Sequence, residues 1–128
     1  MKLKELLASV EYKVINGTED VLCAEITDVT DISGECSTGS VFVCVEGRRT
    51  DGHSFAFEAV DNGAVALVCS YGRGEEIREF TASFGDVCVI EVADTRSAYA
   101  KLCGVFFGHC HPLTEISGKM LDIPYLCK

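Results

Sequence analysis

Apolar and polar residues along the chain follow two spacings, one typical of helices and one typical of strands. The first ten residues repeat apolar side chains every three or four positions, which predicts a short helix with one buried face built from Leu3, Leu6, Leu7 and Val10. The stretch "VLCAEITDVT" is rich in β-branched residues and predicts a strand from about Cys23 to Val29. The later run "VFVCVEG" is continuously apolar over strand length, as expected for a strand buried on both faces. "AVALVC" predicts another buried strand, and "VCVIEVAD" predicts a further strand.

Helical patterns separate these strands. In "SFAFEAVDNG", Phe55, Ala59 and Val60 share one helical face, and Gly63 is predicted to end the helix as a left-handed cap. The stretch "EEIREFTASFG" is compatible with a helix or an irregular crossover. The last pattern, "DTRSAYAKLCGVFFGH", predicts a helix capped by Asp94 and stopped at Gly108. Its apolar stripe comprises Ala98, Leu102, Val105 and Phe106.

This alternation predicts an α/β fold, a three-layer domain in which a small, mostly parallel sheet is flanked by helices. An antiparallel strand near the N-terminus is compatible with the pattern. Ligands of such sheets bind beyond the carboxyl ends of the strands. The turn "GRRTDGH", Gly47 to His53, follows one of the predicted strands and lies in such a place.

Length and charge narrow the class of protein. A chain of 128 residues fits one domain. Its net charge of -9 disfavours nucleic-acid binding, but Arg48 and Arg49 still allow a small phosphorylated ligand, because distant charges are screened. The charged N-terminal stretch lacks a signal-peptide pattern and no run reaches membrane-spanning length, so we expect a cytoplasmic protein with no membrane partner. The sequence does not indicate an oligomeric state.

The eight cysteines favour neither disulfides nor a metal site. No C-x-x-C pair is present, and four cysteines lie in apolar runs, where we expect reduced and buried thiols: Cys23, Cys44, Cys69 and Cys88. A metal site would draw on His109, Cys110 and His111 with Cys103 or Cys127. Consecutive ligands point in divergent directions and no paired spacing supports them, so no metal is predicted.

The turn from Gly47 to His53 has two interpretations. Its backbone N–H groups and the following helix N-terminus offer a place for anionic or carbonyl acceptors. Alternatively, it is a solvated loop in which Asp51 braces the turn and His53 packs at the helix start. The second interpretation makes Gly47, Asp51, Gly52 and His53 a structural turn.

Two ordered stretches carry a resemblance to a known family. The segment "SGECSTGSVFVCVEGRRTDGHSFAFEAVDNGAVALVC", followed by "VCVIEVADTRSAYAKLCGVFFGH", resembles the N-terminal domain of the Mur ligases, closest to the UDP-N-acetylmuramoyl-tripeptide synthetases, or MurE type. The elements G-x-x-x-D-G-H-x-F and G-A-V-A carry the match, which covers residues 1–109. The resemblance implies that residues 110–128 are a tail or the start of a missing ATP-binding domain.

The resemblance also implies a ligand and its contacts. In the family this domain holds the uridine end of a UDP-N-acetylmuramoyl-peptide, here UDP-N-acetylmuramoyl-L-alanyl-D-glutamate. Carried over by position, the substrate-binding residues are Asp31, Ser33, Arg48, Arg49 and Thr50. Several positions depart from the family pattern, namely Ile32, Gly34, Thr38 and Ser40. Ile32 and Gly34 replace the aspartate and arginine that flank the serine, which removes one charge-assisted bond.

The parent family joins an amino acid to its substrate with ATP and magnesium. In this sequence, Gly118-Lys119 lacks the earlier glycine of a phosphate loop, and Met120 stands where a magnesium-binding Ser or Thr is needed. We therefore expect no catalytic residues, no bound cofactor and no ligation by this chain alone. Two alternatives remain: a regulatory or interaction domain on the same scaffold that has lost UDP binding, and a thiol or metal module. The amino acid that the parent enzyme adds is not indicated.

Overall fold

The computed structural model describes residues 1–17, 19–45, 51–84 and 87–110, and all their side chains except those of Glu19, Phe80, His109 and Cys110. The strands in these ranges are β1 (Lys13–Asn16), β2 (Asp28–Thr30), β3 (Ser40–Val43), β4 (Ala66–Ser70) and β5 (Cys88–Val92). The helices are α1 (Leu3–Leu7), α2 (Glu19–Leu22), α3 (Ala56–Asp61), α4 (Gly74–Thr81) and α5 (Thr95–Cys110). Short 3-10 turns cover Ser33–Glu35, Gly52–Phe55 and Ala82–Phe84.

The strands form one sheet in the order β1-β5-β4-β3-β2. β2, β3, β4 and β5 run parallel, and β1 pairs antiparallel with β5 at one edge. The mostly parallel sheet and the antiparallel N-terminal strand agree with the sequence pattern. Because β2, β3, β4 and β5 run parallel, the segments that follow these four strands all emerge at the same end of the sheet.

Side chains alternate between two cores along each strand. Val41 and Val43 of β3 face a core completed by α1 and α5, whereas Phe42 and Cys44 face a second core completed by α3 and α4. The same alternation in β4 and β5 separates Val68 and Ile90 from Leu67 and Val89. Helices therefore cover both faces, which confirms the predicted three-layer α/β architecture.

The predicted strand from Cys23 to Val29 is wrong over most of its length. Leu22 ends α2, and only the segment from Asp28 onward pairs with β3. The preceding backbone pairs with the N-terminus instead, since Ala24 O accepts from Leu3 N at 2.9 Å and Ile26 N donates to Met1 O at 2.9 Å. These bonds occupy backbone groups that a longer sheet strand would have used.

The helix predictions hold in part. Ala59 and Val60 are buried on α3, but Phe55 is 39% exposed because Gly52–Phe55 forms a 3-10 turn outside that helical face. Gly63 has a φ of 115° directly after α3, as predicted for a left-handed cap. The ambiguous stretch is α4 followed by a 3-10 turn. α5 continues through Gly108 to Cys110, so the predicted stop is wrong.

The described cysteines are all free thiols. Cys44, Cys69 and Cys88 are fully buried, as predicted, whereas Cys23 is half-buried beside the short α2. Burial raises the pKa of the Cys88 thiol to about 11. Within the described ranges, no helix combines the length and apolar character that crossing a membrane requires.

Candidate functional site at the carboxyl ends of the strands

The Asp51-Gly52-His53 turn lies against the end of β3. Gly52 N donates to Val45 O at 3.0 Å, so the turn hydrogen-bonds to the backbone that leaves the strand. A Cβ atom on Gly52 would lie 2.7 Å from both Val45 N and Val45 O. Glycine is therefore required here by the close approach of two backbones.

His53 fastens this turn to the neighbouring strand β4. The side chain is buried, and its Nε2 accepts from Ser70 N at 3.0 Å, at the carboxyl end of β4. An Nε2 that accepts a backbone N–H carries no proton, so the ring proton is on Nδ1, 2.6 Å from Asp51 Oδ1. Both ring nitrogens are thus occupied by protein groups, and His53 braces the turn in this arrangement.

Asp51 is the centre of the network. Its Oδ1 also accepts from His53 N at 3.0 Å, and its Oδ2 accepts from Arg73 Nη1 at 3.1 Å. Partial burial raises the pKa of Asp51, but hydrogen bonds from the backbone and ring of His53 and from Arg73 outweigh it and lower the pKa to about 2. The turn that follows β3 is therefore tied to β4 and to the residue that precedes α4.

Ser33 begins the 3-10 turn after β2 and is held by α3. Its Oγ donates to Glu58 Oε1 at 2.9 Å, and its carbonyl oxygen accepts from Asn62 Nδ2 at 3.0 Å. Glu58 and Asn62 are four residues apart on the helix surface, so they reach Ser33 together. Ser33 itself is 8% exposed, whereas both helix residues are exposed.

Asp31, two residues earlier, interacts with the opposite layer. Tyr99 of α5 is half-buried, and its pKa is raised by burial and by hydrogen bonds with Cys103 and with the Asp31 side chain. Ser33 therefore contacts α3 on one face of the sheet, while Asp31 interacts with α5 on the other. The two residues are neighbours in sequence but do not share side-chain partners.

A surface cavity of about 370 Å³ opens beyond the carboxyl end of β5. Its polar lining comes from Ser9, Glu11, Asp94, Ser97 and Lys101. It includes none of the site residues predicted from sequence. Asp94 Oδ1 accepts from Arg96 N at 3.0 Å and caps the start of α5, as its position in the sequence predicts.

The predicted site is thus described in part. Asp31, Ser33, Asp51, Gly52 and His53 are placed as above, whereas Gly47, Arg48, Arg49 and Thr50 lie outside the described residues. Sequence reasoning did not identify Glu58, Asn62 or Arg73 as neighbours of this region. The spacing of Glu58 and Asn62 on one helical face was the available signal, but nothing in the sequence connects that face to Ser33.

Comparisons with known proteins give one consistent result. The family profile described as "Mur ligase family, catalytic domain" matches residues 25–106. The UDP-N-acetylmuramoyl-L-alanyl-D-glutamate--2,6-diaminopimelate ligase of Bacteroides fragilis is 34% identical over 119 residues, which are 92% of this chain and 22% of that protein. The ligase of the same name from Clostridium botulinum is 35% identical over 118 residues, covering 92% of this chain and 23% of that protein.

A solved structure supports the fold. The UDP-N-acetylmuramoylalanyl-D-glutamyl-2,6-diaminopimelate--D-alanyl-D-alanyl ligase of Acinetobacter baumannii aligns with a TM-score of 0.58 and 19% identity. The alignment covers 80% of this chain and 20% of that one. The chain therefore spans about a fifth of the length of the relatives that it matches.

Proposed function

Since the chain belongs to the Mur ligase family, we propose that it docks the UDP end of UDP-N-acetylmuramoyl-L-alanyl-D-glutamate for a MurE-type ligase of peptidoglycan synthesis and does not catalyse ligation by itself. The observation that carries this proposal is the match of 92% of the chain to ligases whose names contain that UDP-linked substrate. We expect the protein to act in the cytoplasm.

The fold provides a suitable place for the ligand. The 3-10 turn with Ser33 and the turn with Asp51 and His53 follow adjacent parallel strands, β2 and β3. Loops at the carboxyl ends of parallel strands are where open α/β sheets bind nucleotides. Arg48, Arg49 and Thr50 belong to the same connection by sequence, and we expect the arginines to meet the diphosphate.

Ligation itself needs groups that these residues do not supply. The sequence has no G-x-x-x-x-G-K-[ST] phosphate loop. Among the described residues, His, Cys, Asp and Glu side chains form no group arranged to hold a metal ion. We therefore propose that ATP and magnesium act through other parts of a ligase, and no catalytic step is assigned to the described residues.

A titration followed by heteronuclear NMR tests the proposal. UDP-N-acetylmuramoyl-L-alanyl-D-glutamate is added to the purified chain, with UDP alone as comparison. We expect saturable shifts at Ser33 and at Asp51 to His53, reproduced in part by UDP, and little change at Lys4 or Glu79, which are exposed on other surfaces.

The same samples distinguish the alternative function. The absence of shifts at millimolar ligand would contradict UDP docking and favour a regulatory or interaction domain on the same scaffold. Product formation by this chain with ATP, magnesium and diaminopimelate would contradict the proposed lack of catalysis.

A further inference from the structure

The bond between Ser33 and Glu58 limits what a ligand can receive from the serine. A hydroxyl has one proton to donate and two lone pairs that accept. The Ser33 proton is directed at Glu58 Oε1, 2.9 Å away, and hydrogen bonds to an ionised group are stronger than neutral ones. The serine therefore offers its lone pairs, and a ligand must bring a donor to use them.

The position of Ser33 is fixed by a second contact. Asn62 Nδ2 holds the Ser33 carbonyl at 3.0 Å, one helical turn beyond Glu58. Glu58 is on α3 and Asn62 directly follows it, so both partners are held by the same helix. Turning the Ser33 hydroxyl away would break the bond to Glu58, while Asn62 still holds the Ser33 backbone. Glu58 is exposed and Ser33 is 8% exposed, so a ligand from solvent has to approach the serine from the Glu58 side.

The negative charge around Ser33 also disfavours a phosphate at this turn. Cys36, three residues after Ser33, has its pKa raised to about 11 by burial and then by the negative charges of Asp28, Glu58 and Glu35. A phosphate brought to this turn would meet that same negative field. Uncharged donor groups meet no such penalty.

We infer that Glu58 is a specificity-determining residue that makes Ser33 an acceptor, so this turn binds a nucleoside donor group and excludes phosphate. This inference rests on the proposed docking of UDP. In UDP the candidate donors are the uracil N3–H and the ribose hydroxyls, whereas the ionised diphosphate has none. Two exposed apolar side chains, Ile32 directly before Ser33 and Phe55 three residues before Glu58, suit a nucleoside better than a diphosphate.

The test compares UDP with two analogues that each lack one donor, 3-methyl-UDP and 2′-deoxy-UDP. Dissociation constants are measured by calorimetry for the unsubstituted chain and for Glu58→Gln, Ser33→Ala and Glu35→Gln. Glutamine matches glutamate in shape and keeps an oxygen that accepts the Ser33 proton, but it lacks the charge and therefore holds that proton less strongly. Glu35→Gln removes an equal charge from the same turn and leaves the bond between Ser33 and Glu58 in place.

In the unsubstituted chain we expect one analogue to bind about threefold to tenfold more weakly than UDP, the range for one hydrogen bond. This ratio should fall towards one in Ser33→Ala, fall in part in Glu58→Gln and stay unchanged in Glu35→Gln. A ratio that persists in Ser33→Ala would show that the missing donor does not meet Ser33 and would overturn the inference. The amide spectrum of each variant checks that it is folded.

Two further outcomes separate this inference from the function on which it rests. If UDP binds but Glu58→Gln behaves like Glu35→Gln, or neither analogue is weakened, docking stands and the role of Glu58 is wrong. If folded, unsubstituted protein shows no saturable UDP binding, the proposed function is wrong and the inference falls with it.

Discussion

His53 connects two strand ends through a single ring. Its Nε2 accepts from Ser70 N and its Nδ1 faces Asp51 Oδ1, while the ring itself is buried. His53→Ala leaves the Ser70 N–H and one Asp51 oxygen without these partners and opens a cavity. We expect a loss of about 2–4 kcal/mol in the free energy of unfolding, measured by urea denaturation.

A neighbouring substitution provides the control for His53. Ser54 lies in the same 3-10 turn, is exposed, and donates from Oγ to Asp51 O at 2.7 Å. Ser54→Ala also removes a hydrogen bond from the turn, but water can replace it, so the cost should stay below about 1 kcal/mol. Equal losses in unfolding free energy for His53→Ala and Ser54→Ala would show that the buried His53 ring is not important for stability.

Asp51 makes the free energy of unfolding depend on pH under acidic conditions. Its pKa in the folded protein is about 2, below the ordinary 3.8, so the unfolded chain binds a proton more readily. The stabilisation is therefore complete above about pH 5 and is lost as the pH falls towards about 2. Because the side chain is 43% exposed, solvent screening limits the effect to about 1 kcal/mol or less.

The comparison of the unsubstituted chain with Asp51→Asn isolates this contribution. Asparagine does not titrate, so the difference in unfolding free energy between the two proteins should be largest near neutral pH and shrink between about pH 5 and about pH 2. Denaturation series at several pH values measure it. A difference that stays constant across this interval would show that the carboxylate charge is not responsible.

At the scale of elements, the end of α3 depends on one glycine. Gly63 has a φ of 115°, and a Cβ atom there would lie 2.6 Å from Thr38 N. Gly72 has a φ of 90°, but a Cβ atom there would have no atom of the described residues within 4 Å apart from its chain neighbours. Gly63→Ala therefore combines backbone strain with a collision, whereas Gly72→Ala adds strain alone.

The two glycine variants form a matched pair. We expect Gly72→Ala to lower the free energy of unfolding by about 1 kcal/mol and Gly63→Ala to lower it by about 2–4 kcal/mol. Thermal or urea unfolding measures both. Similar losses would mean that the chain around Thr38 moves to accept the methyl group, so that the close packing does not fix the end of α3.

The elements that sequence reasoning predicted well are those with a strong local pattern. β3, β4 and β5 are apolar apart from Ser40, Ser70 and Glu91, as expected for short strands with both faces buried. α2 was missed because its four residues are too short to show a helical period. Phe55 was wrongly predicted to lie on the buried face of α3. It belongs to a 3-10 turn, which changes the side-chain direction but leaves the pattern of apolar residues in the sequence the same.

Only the part of the candidate site whose residues belong to one sequence motif could be predicted from the sequence. The turn from Asp51 to His53 carries its own signal in adjacent residues, and Ser33 was located by resemblance. Glu58 and Arg73 act across distances of 25 and 22 residues along the chain, through hydrogen bonds that only the fold brings about. A charged residue on a helix surface looks the same in sequence whether it faces solvent or a neighbouring turn.

At the scale of the whole molecule, three buried thiols report on the opening of the fold. Cys69 and Cys88 lie in β4 and β5, and Cys44 directly follows β3. All three are fully buried, and burial, with a smaller contribution from Glu91, raises the pKa of Cys69 to about 12. The thiolate is the reactive form, so alkylation requires exposure first. We expect these thiols to be modified only through global unfolding, while half-buried Cys23 reacts faster.

Alkylation with iodoacetamide, read by mass spectrometry at each cysteine, checks this expectation. The rates for the three sheet thiols should rise together with urea and follow the unfolding free energy. The Cys23 rate should change less, which makes it the internal control. Modification of the sheet thiols at the Cys23 rate in native buffer would contradict the prediction.

Ligand binding and thiol protection are linked through the same equilibrium. A ligand that binds only the folded chain stabilises it by about 2.7 kcal/mol at a concentration of 100 times its dissociation constant. If alkylation of Cys88 proceeds through global unfolding, UDP at that concentration should slow it about 100-fold and leave Cys23 nearly unchanged. Slowing of Cys88 without slowing of Cys23 would support docking at the folded sheet by a measurement independent of NMR. An unchanged Cys88 rate, despite saturation seen by NMR, would show that this thiol is exposed by a local opening that does not disturb the ligand.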